Sequence, residues 1–282
     1  MTAAKVSGRR IAVTGAAGSL ARDIIPRLVS AGYTVSCVDR VAPEEGFGQE
    51  WTLTEVAETE VLVESFRGCD AVIHLAGIPL EDDWDRLLAA NIDGTYSVLE
   101  AARQAGVPKA VLASSIHATG FTAVPAHGEL VPDTTPVRPN TLYGVSKAAL
   151  EALGSYYADR HGMDVLCLRI ASRFDRPRDV RMLSTWLSPD DAARLCIAAL
   201  ADPGHGFRIL WGVSANTRSY LSPDGGAAIG YFPQDNAEKY APELTEPDTP
   251  EAASETEWDR SYIGGVFCSP NPPRHLAPQT SR

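Results

Sequence analysis

The stretch RIAVTGAAGSLARDI, residues 10–24, decides how the rest of the chain is read. Arg10 to Thr14 form a short apolar run with the character of a buried strand, and it stops at Gly15. Apolar residues then recur at helical period through SLARDIIPRLVSAGY, closed by Gly32. Gly15 permits a tight turn between the two, and Gly18 lets the backbone approach a pyrophosphate held at the helix N-terminus. Ala21 takes the third small-residue position and still allows close packing of helix on strand. On its own such a turn is also an ordinary strand-to-helix connection, so the surrounding pattern has to choose between the two.

Working outward, TVSCVD is a second strand ending in Asp39, and AVIHLAG, AVLASS and DVLCLRI repeat the strand signal. Helical patterns separate them, among them DRLLAANIDGTYSVLEAARQAG and NTLYGVSKAALEALGSYYADRHG, and DDAARLCIAALAD and FRILWGVS add one more helix and strand. This alternation predicts right-handed βαβ units in an α/β fold, a doubly wound parallel Rossmann-type sheet, over residues 1–213. After Ser214 prolines become frequent, and acidic residues collect between Glu238 and Asp259. Residues 214–282 are expected to form a small irregular C-terminal region, docked on the first part and covering a substrate site.

The chain has 282 residues and a formal net charge of −11, which argues against a nucleic-acid partner. A small anionic substrate is still allowed, because a local basic pocket can overrule the net field. No apolar run is long enough to span a bilayer, and no signal-peptide pattern follows the polar first residues, so no membrane partner is expected. The five cysteines have no paired spacing and several lie in apolar runs, as expected of reduced thiols in a cytoplasmic protein. The six histidines are dispersed, and no metal site is expected.

Three further features carry chemistry. Asp39 ends the second strand, where an acid accepts hydrogen bonds from an adenosine ribose diol; its carboxylate repels a 2′-phosphate and favours NAD over NADP, although Arg40 beside it works the other way. Tyr143 and Lys147 in LYGVSK stand one helical turn apart on one face. Tyrosine ionises near pKa ~10, too high for a base at neutral pH. A lysine ammonium nearby favours the phenolate, and a fall of ~2–3 units corresponds to roughly 3–4 kcal/mol. Ser115 ends the AVLASS strand, where its hydroxyl can hold a reacting oxygen.

In order along the chain, TGAAGSL (14–20), HLAG (74–77), NIDGT (91–95), SSIHATG (114–120) and YGVSK (143–147) resemble the extended short-chain dehydrogenase/reductases. The resemblance implies Tyr143 as the base, Lys147 and Ser115 assisting, and Asn91 supporting the active site. It also implies NAD contacts at Gly15, Gly18, Ser19 and Leu20, at Asp39, Arg40 and Leu53, and at Leu75, Ala76 and Gly77, besides Tyr143 and Lys147. A homo-oligomer is expected. More narrowly, RMLSTWLSPDD (181–191), WGVSAN (211–216), QDNAE (234–238) and GGVF (264–267) resemble the uronate dehydrogenases, which oxidise C1 of glucuronate or galacturonate with NAD to an aldarolactone. That resemblance implies a sugar acid substrate, with Ser115, His117, Tyr143, Ser172 and Arg181 at substrate-contacting positions.

The residues agree with such a reaction. A planar arginine fork at Arg181 suits a carboxylate better than lysine does. Arg173, Arg176 and Arg178, close to it in SRFDRPRDVRMLSTW (172–186), are expected in solvent or at a subunit surface. Three positions depart from the family pattern. Pro79 replaces a usual serine and Ile116 a usual asparagine, which removes polar groups near sugar hydroxyls. Thr52 replaces an acid near the adenine. Two other readings share the motifs. A nucleotide-sugar epimerase or dehydratase needs room for a nucleotide diphosphate, and a dehydratase needs an acid pair where Ile116 and His117 stand. A non-catalytic NAD-sensing regulator often loses the Tyr–Lys pair that this chain keeps.

Overall fold

The structure, a computed structural model, describes residues 8–43, 48–126, 128–246 and 255–275. Residues 247–254 of the acidic tail, and the chain ends 1–7 and 276–282, lie outside the described residues. Strand β1 (Arg10–Thr14) leads through the glycine turn into α1 (Ser19–Ser30), followed by β2 (Thr34–Asp39), β3 (Glu50–Leu53), α2 (Thr59–Phe66) and β4 (Ala71–His74). A short α3 (Trp84–Leu87) runs through a π-helical turn (Leu88–Asp93) into α4 (Gly94–Ala105), and β5 (Lys109–Ser115) ends in a 3-10 turn (Ile116–Thr119). Then come α5 (Leu142–His161), β6 (Asp164–Ile170), the short β7 (Ser172–Arg173), α6 (Met182–Thr185), β8 (Trp186–Leu187), α7 (Pro189–Ala201) and β9 (Phe207–Gly212).

The main sheet has seven strands in the order β3-β2-β1-β4-β5-β6-β9, all neighbours parallel. Its central strands are apolar almost throughout because helices cover both faces. Successive side chains alternate between two cores. Ile73, Val111 and Leu166 meet Ile24 and Leu28 of α1 and Leu195 of α7 on one face. Val72, Leu112 and Val165 meet Phe66, Val98 and Leu150 from α2, α4 and α5 on the other. Strand β3 and helix α2 escape the sequence reading. EWTL is a half-exposed edge strand of four residues and carries no alternation long enough to stand out.

Strand order reverses between β1 and β4, so their carboxyl ends splay apart and leave a crevice, the place where open α/β sheets take ligands. A third layer roofs that end. One apolar cluster joins Ile116, Val131, Trp211, Val213, Leu221 and Ile263, and another joins Met182, Leu183, Trp186, Ala237 and Leu244. The roof is therefore built from segments near 116–131 and 182–187 as well as from the tail. Backbone bonds stitch it: Val131 N to Tyr220 O at 2.7 Å, Ile263 N to Thr122 O at 2.9 Å and Gly264 N to Gly120 O at 2.9 Å. Among the described residues, no helix is long and apolar enough to cross a membrane.

One buried ion pair sets the register of α5 on the sheet. Arg169 of β6, 1% exposed, donates from Nε and Nη2 to the two oxygens of Glu151 on α5, both at 2.8 Å. Ser114, next to Ser115, donates to the same carboxylate at 2.6 Å. The helix that carries Tyr143 and Lys147 is thus tied to the strand that carries Ser115.

Candidate active site

The crevice end of the site begins at Gly15, whose φ is +70°. A Cβ there would lie 2.6 Å from Ala76 N, so the turn runs directly against the backbone after β4 and brings Gly15 beside Leu75 and Ala76, with Gly77 next in the chain. Helix α1 starts at Ser19 and Leu20 with Gly18 as its N-cap, with no side-chain cap and no acid in its first turn. Its first N–H groups and the positive end of its dipole are left for an anion. Asp39, at the end of β2, accepts from Ala17 N at 3.0 Å and Arg40 N at 2.7 Å through different oxygens. Each oxygen keeps lone-pair capacity for a diol. Leu53 is the register partner of Asp39 on β3, with Thr52 one residue before it. Arg40 is mostly exposed and stands 3.9 Å from Glu55. An uncapped helix start, a glycine cradle and an acid at the next strand end together fit a dinucleotide.

The reacting end is assembled at the start of α5. Thr141 caps that helix by accepting from Gly144 N at 2.9 Å, and Tyr143 N donates to the buried Glu81 carboxylate at 2.9 Å. Tyr143, Lys147 and Ser115 are all buried, and the structure brings the three together. Burial pushes the Tyr143 phenol up to about 12, and a hydrogen bond with Ser115 opposes the shift only in part. Burial also pulls Lys147 down to about 8. The expected depression of Tyr143 by Lys147 is therefore corrected. The ammonium donates to Ala113 O at 2.7 Å and lies 5.7 Å from the Tyr143 ring centroid, and desolvation of the phenolate dominates.

Asn91 stands behind this group. Its Oδ1 accepts from Ile78 N at 2.7 Å, and its Nδ2 donates to Ile78 O at 3.0 Å and Ser146 Oγ at 2.9 Å. It pins the loop after β4 to α5 and does not itself reach the Tyr143 hydroxyl.

His117, in the turn after β5, packs edge-on to Tyr143 at 5.9 Å and against Phe267 of the tail at 4.5 Å. Its Nδ1 faces Asn140 Oδ1 at 3.3 Å, so Nδ1 carries the proton and Nε2 is left as an acceptor. Burial and the neighbouring Arg181 guanidinium drop its pKa to about 3, which keeps the ring neutral. Arg181 donates from Nη1 to Ser172 Oγ at 3.3 Å and from Nη2 to Ile263 O. Its buried Nε has no partner among the described residues. Ser172 also shares a 2.9 Å hydrogen bond with Thr185.

The other arginines behave differently from expectation in one case. Arg173 is not solvated: its side chain is 15% exposed and pairs with Asp23, because its loop folds back onto α1. Arg176 pairs with Glu243 at the surface, and Arg178 lies over the Phe174 ring at 4.1 Å. Glu81, Asn140 and Ile263 escape the sequence reading, since each acts on a residue distant in sequence or through its backbone, and Phe267 enters it only inside the GGVF motif, without its contact to His117. Pro79 is exposed, whereas Ile116 turns into the roof cluster with Trp211 and Ile263, so its apolar character is used in packing.

Residues 11–178 match the NAD dependent epimerase/dehydratase family. The chain belongs to that family. It is 34% identical to uronate dehydrogenase of Pseudomonas putida over 267 residues, covering 93% of this chain and 97% of that protein. It is 38% identical over 254 residues to an L-arabinose 1-dehydrogenase (NAD(P)(+)) of Haloferax volcanii, covering 81% of this chain and 97% of that one. Among solved structures, a mutant of Agrobacterium tumefaciens uronate dehydrogenase complexed with NAD superposes with a TM-score of 0.84 at 33% identity, covering 95% of this chain and 99% of that one. The family assignment and these relatives agree with the dinucleotide fit of the crevice.

Proposed function

We propose that this protein is an NAD-dependent dehydrogenase that oxidises the C1 hydroxyl of a hexuronic acid, such as glucuronate or galacturonate, to its aldarolactone. The observation that carries this reading is Arg181, a guanidinium whose buried Nε has no partner among the described residues, held beside His117 in the same site as Tyr143 and Ser115. Its similarity to uronate dehydrogenases over nearly the whole chain supports the same substrate class. NAD, when bound, supplies the two-electron acceptor. In this reading the amides at the start of α1 hold its pyrophosphate and Asp39 its adenosine ribose diol. Leu53, Leu75, Ala76 and Gly77 line its path, and Lys147 reaches the second ribose.

Tyr143 Oη takes the proton of the C1 hydroxyl, while Ser115 Oγ holds the same oxygen. Neutral His117 accepts from a sugar hydroxyl through Nε2. Arg181 and Ser172 fix the carboxylate at the far end, with Asn91 bracing the loop behind Tyr143. Residues 214–282 act as the covering region and residues 1–213 as the catalytic domain. A cytoplasmic location is supported by five buried free cysteines, and a homo-oligomer by apolar side chains left exposed at Tyr96 on α4 and at Leu142, Val145 and Tyr156 on α5.

The direct test is purified protein with NAD and a panel of sugar acids and neutral aldoses, followed by NADH absorbance. Turnover of a uronate is the expected result, and turnover of a neutral pentose or hexose alone refutes the substrate class.

Two predictions follow from the geometry. Asp39→Ala is expected to narrow the preference for NAD over NADP, read as the ratio of kcat/KM values. Equal use of both cofactors by the unchanged protein would show that Arg40 outweighs Asp39. The rate is also pH-dependent. Tyr143 is active as its deprotonated form, and its raised pKa makes that form scarce at neutral pH, so kcat/KM is expected to climb as pH rises from 6 to 8. By pH 8 Lys147 has lost about half its charge, so the climb is expected to flatten as that pH is approached. A profile level from pH 6 to 8 would remove Tyr143 ionisation from the rate.

A further inference from the structure

The C-terminal segment grips Arg181 from behind. Ile263 O accepts from its Nη2. Two residues on, Gly265 has a φ of +60°, and a Cβ built there would stand 2.6 Å from both Cδ and Nε of Arg181 and 2.4 Å from Asp259 Oδ1. The Asp259 side of that gap is tied down by hydrogen bonds. Its Oδ2 accepts from Thr256 N at 2.9 Å and from Thr256 Oγ1 at 2.6 Å, and its Oδ1 accepts from Val266 N at 2.9 Å. On the opposite side, Ser172 Oγ is itself held by Thr185. The guanidinium plane is therefore set by the Ile263 carbonyl, the hydroxyls of Ser172 and Tyr220, and a backbone wall that has room for no side chain. Orientation matters here because a carboxylate is recognised by the direction of the arginine fork as well as by its charge.

We propose that Gly265 and the Ile263 carbonyl are positioning elements that aim the Arg181 fork. The discrimination between an acidic and a neutral sugar then resides in the C-terminal segment 263–265 as much as in Arg181. This rests on the reading of Arg181 as the partner of the substrate carboxylate. Neither Gly265 nor Ile263 touches the reacting atoms, so the segment acts on substrate affinity through Arg181 and leaves the chemical step alone.

Gly265→Ala is expected to raise KM for a uronate about 10-fold or more, with kcat within about two-fold of the unchanged protein. Its effect on kcat/KM for the parent neutral aldose is expected to stay within about two-fold. In an Arg181→Ala background the same substitution is expected to add less than about two-fold, the non-additivity of two residues acting as one unit. Thermal unfolding of each variant checks that the fold is kept. Equal losses on acid and neutral sugar, or full additivity of the two substitutions, overturn the proposal.

Arg181→Lys supplies a second arm that leaves Gly265 untouched. It keeps the charge and discards the fork, and its KM for the uronate is expected to rise nearly as far as that of Arg181→Ala. A KM close to that of the unchanged protein means charge suffices without aiming, which also overturns the proposal. If Arg181→Ala harms the acid and the neutral sugar alike, the carboxylate reading itself falls, and this inference falls with it. The Arg181→Ala arm alone thereby separates that failure from a failure of Gly265.

Discussion

Tyr143→Phe is expected to lower kcat by about 10²–10⁴-fold, the usual worth of a positioned general base. The phenyl ring still fills the buried site between His117 and Lys147, so packing is retained. What disappears is the only atom of that side chain able to take the C1 hydroxyl proton. NAD affinity, measured by calorimetry, is expected to stay within about three-fold, well under the ~1.4 kcal/mol that marks a tenfold change. Turnover close to that of the unchanged protein would remove Tyr143 from the mechanism. A matching collapse of NAD affinity would mean that the substitution had damaged the cofactor crevice instead.

Glu151→Ala is expected to destabilise the fold by about 3–5 kcal/mol, because it strands a buried guanidinium without its carboxylate. Among the described residues Arg169 then keeps the carbonyls of Asp133 and Thr135, at 3.0 and 2.8 Å from its Nη1, and the Trp211 ring, with no anion in reach of its hydrogen bonds. Ser114 loses its acceptor in the same stroke. Urea unfolding followed by circular dichroism measures the loss. Replacing both partners, as in Glu151→Leu with Arg169→Met, is expected to recover much of it, since no unpaired charge remains. A single substitution costing under about 1 kcal/mol would show that water reaches Arg169 and screens it.

The sheet was legible because buried parallel strands read as continuous apolar runs, and because Gly15 and Gly32 punctuate the first βα unit. Edge strand β3 was not, since a four-residue, half-exposed segment lacks the contrast that burial imposes. At the site, Tyr143 and Lys147 are local to one helix, and their spacing alone places them on one face. Ser115 is marked by its position at a strand end. Glu81, in contrast, meets Tyr143 N across 62 positions of sequence, and Ile263 meets Arg181 across 82, through a carbonyl that every residue possesses. No residue-type signal can announce a backbone acceptor. Electrostatics misled the reading for a related reason. Spacing shows that Lys147 is near Tyr143, but only the fold shows that its ammonium is turned to Ala113 O and that both groups are dry. Arg173 escaped in the same way, because its partner Asp23 lies on the first helix.

The central claim is that Arg181 recognises the carboxylate of a uronate oxidised at C1. The most direct measurement is kcat/KM for a uronate and for its parent neutral aldose, in the unchanged protein and in Arg181→Ala, with NAD saturating. A charge-assisted hydrogen bond in a partly desolvated site is worth roughly 1.5–3 kcal/mol, so the acid is expected to lose about 10- to 150-fold. The neutral sugar, a poor substrate from the start, is expected to lose less than about three-fold, because it offers Arg181 no charge to bind. Equal losses for the two sugars would contradict the account.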